Sequence, residues 1–252
     1  MTHEPCPASG PGPVHELVRG QVLQLRMLGS CAVLRDGVVV DLGTRQLRLL
    51  AALALFGRRA RPFLGGLLWP SCTEARALGS LRAAVFAVQH QVPGALTADG
   101  HDLALSTALA VDVHGLRARL VAAAGAEAPT AVDAAELATA GVPPLLPGWY
   151  DDWVLAEQER MRSLYVHAAE HTAALCLAHG DPSGAATLAE AVRGADPLRE
   201  SAVRLLVRSH LALGNPAAAL RDFRRYCTVA AAETGTAPSD ELVRLVDAVI
   251  RR

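Results

Sequence analysis

The chain has 252 residues, 51% of them hydrophobic and 19% charged, with a formal net charge of −1. This is enough for one large domain or two ordinary ones, and it excludes a globally disordered chain. The near-neutral total hides an asymmetry, because residues 1–110 hold ten arginines against seven acids while residues 111–252 hold fourteen against eighteen.

Residues 1–21 are rich in Pro and Gly and lack the basic start and apolar core of a signal peptide, so a disordered tail is expected there. Residues 22–42 read as strands. VLQLRML alternates from Val22 or Leu23, and CAVLR and VVVDL flank Asp36-Gly37, a two-residue hairpin signal. The period then changes. Thr44 is placed to cap a helix whose buried face is Leu47, Leu50, Ala51 and Ala54 and which ends at Gly57. RRARP follows as a loop, then FLGGLLWP as a short helix stopped by Pro70. A third helix, Glu74 to Val92, carries Leu78, Leu81, Val85, Val88 and Val92 on its apolar stripe and stops at Pro93-Gly94. LTADGHDLALS reads as a second hairpin turning at Asp99-Gly100 or just after it. Strands, three helices and a closing hairpin describe a winged helix-turn-helix over residues 22–110.

From about residue 111 nearly everything is helical. LAHGDPSGAATLAEAV at 177–192 aligns with LALGNPAAALRDFRRY at 211–226, so Gly180 and Gly214 stand thirty-four positions apart, as do Pro182 and Pro216. That is the tetratricopeptide period: Gly ends one helix and Pro starts the next. The expected fold is therefore mainly α. An N-terminal winged helix-turn-helix (α+β) at 22–110 precedes an all-α tetratricopeptide-like domain at 111–252, and the repeat predicts that the latter folds on its own.

LLPGWYDDWV, residues 145–154, concentrates two of three tryptophans beside Asp151-Asp152. The aspartates fall at the start of a long amphipathic helix, where carboxylates suit the free N–H groups, and no companion catalytic motif is nearby. The stretch reads as a packing corner rather than an active site.

The third helix is the recognition candidate. Opposite its apolar stripe lie Arg76, Gly79, Ser80, Ala83, Phe86, Ala87 and His90, with Arg82 at the edge. Arg reads guanine edges, Ser and His reach bases or phosphates, and Ala83 and Ala87 allow close approach or meet a thymine methyl. Phe86 on a polar face more often packs under the wing than touches DNA. Arg58, Arg59 and Arg61 suit phosphate anchoring, or are simply a solvated cluster. Thr44 and Arg45 stand at a helix N-terminus able to hold a phosphate, and His101 sits in the wing. Between Thr44 and Val92 there are seven arginines and one acid, Glu74, an electrostatic footprint for an anionic partner. In the C-terminal part, Arg204, Arg208, Arg221, Arg224 and Arg225 form either a partner surface or a face paired with Glu190, Glu200 and Asp222. The second of these is the plainer reading.

Other classes lack support. The five cysteines form no CxxC, the nine histidines show no HExxH, and neither GxxxxGK[ST] nor GxGxxG occurs. No metal, cofactor or enzymatic activity is expected. No run of about eighteen uncharged apolar residues exists, so no membrane span is expected, and reduced cysteines in a cytoplasmic protein are the expectation.

LLWP (67–70) with EARALGSLRAAVFAV (74–88), LLPGWYDDWVLAEQERMRSLYVHA (145–168) and DPLRESAVRLLVRSHLALGN (196–215) together resemble the Streptomyces antibiotic regulatory protein family. The resemblance covers roughly residues 22–252. It implies a winged helix followed by a bacterial transcriptional activator domain. It also implies an activator of a secondary-metabolite gene cluster that binds direct repeats in promoter DNA as a side-by-side pair and recruits RNA polymerase holoenzyme. Ala87, Gln89 and His90 stand where the family commonly has basic residues. That departure motivates the alternative, a protein–protein adaptor with a weakened DNA-binding domain.

Overall fold

A computed structural model describes residues 22–129, 137, 141 and 144–250, with side chains as far as Asp247. The expected tail, 1–21, lies outside the described residues. β1 (Leu23–Arg26), β2 (Ala32–Arg35) and β3 (Val38–Val40) form an antiparallel meander. Asp36 and Gly37 turn it at φ 51° and 82°, the two left-handed positions that a tight hairpin of this kind requires.

α1 (Thr44–Phe56) is more deeply buried than one apolar stripe predicts. Every residue from Leu49 to Leu55 is buried, whereas Leu47 is only half-buried. The reason is position: α3 and the wing pack on it, His114 meets the Ala54 carbonyl at 2.7 Å, and Trp153 packs on Phe56. A helix covered on several sides shows no single face. Thr44 does not cap it. Gly43 occupies the N-cap position without a side-chain bond, and Gly57, at φ 72°, ends the helix.

The stretch expected as a loop after α1 holds a two-residue strand, β4 (Arg59–Ala60). α2 (Arg61–Leu68) starts directly from it, with Pro62 in its first turn, where a missing N–H costs nothing. α3 (Glu74–Gln91) follows, then the wing, β5 (Leu96–Asp99) and β6 (Asp102–Leu105), turning through Gly100-His101. β4 pairs with β6, giving the sheet order β4-β6-β5. β7 (Leu109–Val111) returns to the first sheet and pairs parallel to β1, giving β3-β2-β1-β7. This is a winged helix.

The rest of the described chain is helical: α4 (Asp112–Ala124), α5 (Asp152–Ala178), α6 (Pro182–Ala195), α7 (Glu200–Ala212), α8 (Pro216–Glu233) and α9 (Asp240–Ile250). The repeat seen in sequence is a repeat of geometry. Gly180 and Gly214 take φ 80° and 69°. Asp181 and Asn215 each cap the next helix, accepting from Gly184 N–H at 2.9 Å and Ala218 N–H at 3.1 Å. Their own N–H groups donate to the Cys176 and His210 carbonyls, both at 2.8 Å. The same side-chain and backbone satisfaction of helix ends recurs thirty-four residues on.

The two parts meet through matched backbone groups. The Asp112 carboxylate, in the first turn of α4, accepts from Met27 N–H at 2.9 Å and Leu28 N–H at 3.0 Å. Leu146 N–H donates to Met27 O, and Gly29 N–H to Pro144 O, both at 2.8 Å. The aromatic corner sits beside them. Trp153 lies 6.0 Å from Phe56 and edge-on to Trp149 at 6.4 Å, and Asp151, at the N-cap of α5, pairs with Arg48 of α1. Asp151 is thus occupied by a structural arginine, and Asp152 points to solvent. One apolar core runs from Leu23 to Ala202, and a smaller one around Val203, Tyr226 and Leu242 closes the C-terminal end. We propose 22–110 and 111–252 as the two structural units. Their shared core argues against the independent folding of 111–252 that the repeat suggested.

The thiols differ along the same lines. Cys31, half-buried next to the junction, is pushed up to about 12 by burial and then by the Asp112 carboxylate. At pH 8 it holds roughly a thousandth of the thiolate of an ordinary thiol. Cys72 is exposed. Maleimide labelling of the native protein at pH 8, mapped by peptide mass, should therefore modify Cys72 and spare Cys31. Unfolding in guanidinium should erase the difference. Fast native labelling of Cys31 would contradict the packing described around it.

Candidate nucleic-acid interface

α3 buries Ala77, Leu81, Ala84, Val85 and Val88 against the winged-helix core and leaves the opposite face open. Val92, just beyond its end, is buried as the stripe predicted, while Leu78 is only half-buried. On the open side, Arg76, Arg82, Ala83, Phe86 and His90 are exposed, and Ser80 and Ala87 are half-buried. Arg76 and Arg82 reach no acidic partner among the described residues. Two guanidinium groups are therefore free on one helix, with no internal bond to give up on meeting a phosphate or a base edge.

Phe86 does not pack under the wing as expected. It is 72% exposed, and its ring stacks on His90 one turn later, with centroids 6.3 Å apart and planes 6° from parallel. The wing does not cover it: β5 and β6 turn their own Leu96 and Leu103 inward and leave Phe86 in solvent.

The arginines after α1 are not equivalent. Arg58 is held by the wing: its Nε donates to Asp102 at 2.9 Å and its other end pairs with Asp99. The two carboxylates hold its guanidinium above the usual range, mainly by hydrogen bonding to Asp99 and then to Asp102. Arg58 is thus a wing clamp, and as a phosphate anchor it would first have to leave two acids. Arg59 lies over the Phe63 ring at 5.6 Å, and Arg61 N–H donates to His101 O at 2.9 Å. Both keep their charge uncompensated by acids, while β4 and α2 fix their backbones.

Thr44 and Arg45 are exposed in the first turn of α1, and His101 is exposed in the wing turn. Of the seven arginines between Thr44 and Val92, Arg48 and Arg58 are paired with acids; Arg45, Arg59, Arg61, Arg76 and Arg82 have no carboxylate partner among the described residues. Sequence reasoning could not see which arginines were spent, because the acids that bind them lie 103 and 41–44 residues away.

In the C-terminal part, Arg204 and Arg208 pair with Glu241 of α9, at 2.6 and 3.1 Å, and Arg193 with Asp222 at 2.6 Å. Arg204 and Arg208 are thus paired, as the plainer reading had it, but chiefly with Glu241, while Glu190 and Asp222 are taken by Arg193. Arg221, Arg224 and Arg225 are exposed on α8 and reach no acid among the described residues. Also among the described residues, no helix is long and apolar enough to cross a membrane.

Residues 111–250 match the bacterial transcriptional activator domain. The chain belongs to that family. A winged helix ahead of the matched domain is the domain order of the Streptomyces antibiotic regulatory protein type. Among solved structures it is similar to Mycobacterium tuberculosis EmbR in complex with a low affinity phosphopeptide, with a TM-score of 0.74 and 23% identity over 92% of this chain. This chain spans 65% of the EmbR chain, and at that identity the likeness concerns the fold. No curated protein matches the sequence.

Proposed function

We propose that this protein is a sequence-specific DNA-binding activator that places α3 in the major groove of promoter DNA. The observation that carries the reading is the open face of α3, with Arg76 and Arg82 exposed and unpaired. Arg45 and Thr44 at the start of α1, Arg59 and Arg61 at the start of α2, and His101 in the wing supply further candidate contacts. Ser80, Ala83, Ala87 and His90 complete the face of α3. A pair of copies side by side on direct repeats, recruiting RNA polymerase holoenzyme through the helical domain, would give activation. The family supports this mode, and a secondary-metabolite gene cluster is the target class the resemblance implies. A cytoplasmic, non-enzymatic regulator fits the same reading.

Two observations favour an adaptor instead. Arg58 is already neutralised by two acids of the wing, and α3 ends in Gln89 and His90 rather than in a run of arginines. Fluorescence anisotropy on a random duplex and on the promoters flanking the gene, at graded salt, separates the two. If the five unpaired arginines each meet a phosphate, log K should fall with log salt at a slope of roughly −4 to −5 per protomer. A slope near zero, with no preference among sequences, would leave the adaptor.

A further inference from the structure

Phe86 is the bulky apolar side chain that α3 holds out into solvent, and neither the phosphate contacts nor the arginine contacts account for it. At about 100° per residue, Gly79, Ala83, Phe86 and His90 fall within one sector of roughly 60° on the helix surface. That sector is centred opposite the buried stripe of Leu81, Val85 and Val88. The residues before Phe86 on it are small, so no bulky neighbour in that sector covers the ring. Arg82 and Ala87 flank the sector, one free cation and one methyl. His90 stacks parallel to the Phe86 ring. Such a pair limits the ring's rotamer freedom before any ligand arrives, so less entropy is lost when a partner covers it.

Exposed apolar residues are common singly and need no explanation by themselves. This one lies at the middle of a face whose charge is entirely positive apart from Glu74 at the far end of the helix. Charge complementarity therefore selects duplex DNA as the occupant over a typical apolar protein groove. In the major groove only one base-pair feature is apolar, the C5-methyl group of thymine.

We infer that Phe86, with His90 stacked behind it, reads a thymine methyl in the operator and is a specificity-determining residue of this protein. This rests on the DNA-binding reading and adds a base to it. Arg82 would meet the neighbouring phosphate or guanine, and Phe86 would set the preference for a T at one position. His90 acts as a positioning residue through the ring stack.

The test selects the operator and probes it in one experiment. The full-length protein, Phe86→Ala and Phe86→Leu are each used to select binding sites from a random duplex pool. Each selected thymine is then replaced, one at a time, by deoxyuridine, which removes only the methyl group. For the parent, one replacement should weaken binding about three- to fivefold, the value of one buried methyl. For Phe86→Ala the same replacement should cost nothing, and the selected sequences should lose their T at that position. Phe86→Leu should retain part of the effect. Because Phe86 is uncharged and contacts no phosphate, the salt slope should not move. A parent that selects a site, with Phe86→Ala showing the same selected T and the same deoxyuridine penalty, overturns the inference and leaves the DNA-binding reading standing. A Phe86→Ala variant weakened equally on all sequences overturns it as well. A parent that selects no sequence at all overturns both readings together.

Discussion

Trp153→Ala is expected to lower the unfolding free energy by about 3–5 kcal/mol and the melting temperature by roughly 6–20 °C, while the protein that stays folded keeps its DNA affinity. Trp153 is 8% exposed and packs between Phe56 of the winged helix and Trp149. Its loss opens a cavity where the two structural units share one core, next to the Arg48–Asp151 pair that crosses the same seam. The indole N–H finds no acceptor among the described residues, so the native side chain already carries an unsatisfied donor. Trp153→Phe should therefore be much milder than Trp153→Ala, because it keeps an aromatic ring in the site and removes the orphan N–H. Thermal melts of the three proteins, paired with anisotropy titrations below the lowest transition, decide the matter. A Trp153→Ala protein that melts like the parent but no longer binds DNA would return LLPGWYDDWV to the list of functional sites.

What the sequence disclosed and what it hid divides along contact range. Features set by neighbouring residues were legible. The Asp36-Gly37 hairpin needs only two left-handed residues. The Gly-Asx-Pro turns need only a positive-φ glycine, a capping side chain and a proline, and the thirty-four-residue spacing announces that they recur. α3 was legible too, because one face meets the core and the other meets water. Features set by distant partners were not. α1 was legible only in part: Leu50, Ala51 and Ala54 are buried as its stripe predicted, but neighbours on several sides also bury Leu49, Ala52, Leu53 and Leu55. β4 and β7 are two and three residues long and exist only because β6 and β1 offer free edges. Asp112 gave no sign that it would accept two backbone N–H groups from residues 84 and 85 positions earlier. For the candidate site, the identity of the helix was in the sequence but the state of its side chains was not. Arg58 looked as free as Arg82 until Asp99 and Asp102 came round on the wing, and Phe86 looked coverable until the wing closed elsewhere.

The same distinction governs how α3 should respond to substitution. Arg82→Ala is expected to cost about 1–3 kcal/mol if the guanidinium reads a base, and to reduce the salt slope by about one if it holds a phosphate. Arg58→Ala makes the useful contrast. Arg58 already has two carboxylates, so its removal should change the salt slope less than Arg82→Ala does, and its effect should appear in the stability of the wing instead. As Arg58 is more than half exposed, that stability effect stays small. Ala87→Arg runs in the opposite direction. Ala87 is half-buried beside Phe86 on the open side of α3, and a long side chain there can extend past the exposed ring into solvent. If that side lies in the groove, the added charge should tighten binding to all sequences and steepen the salt dependence by about one. Non-specific affinity should gain more in proportion than specific affinity, because a phosphate contact positions the protein without reading a base. The measurement is anisotropy on one selected duplex and one scrambled duplex at four or more salt concentrations. Should Arg82→Ala bind like the parent and Ala87→Arg leave both affinity and slope unchanged, α3 lies outside the groove. Its free arginines and exposed Phe86 would then belong to a protein-binding face, as in the adaptor reading.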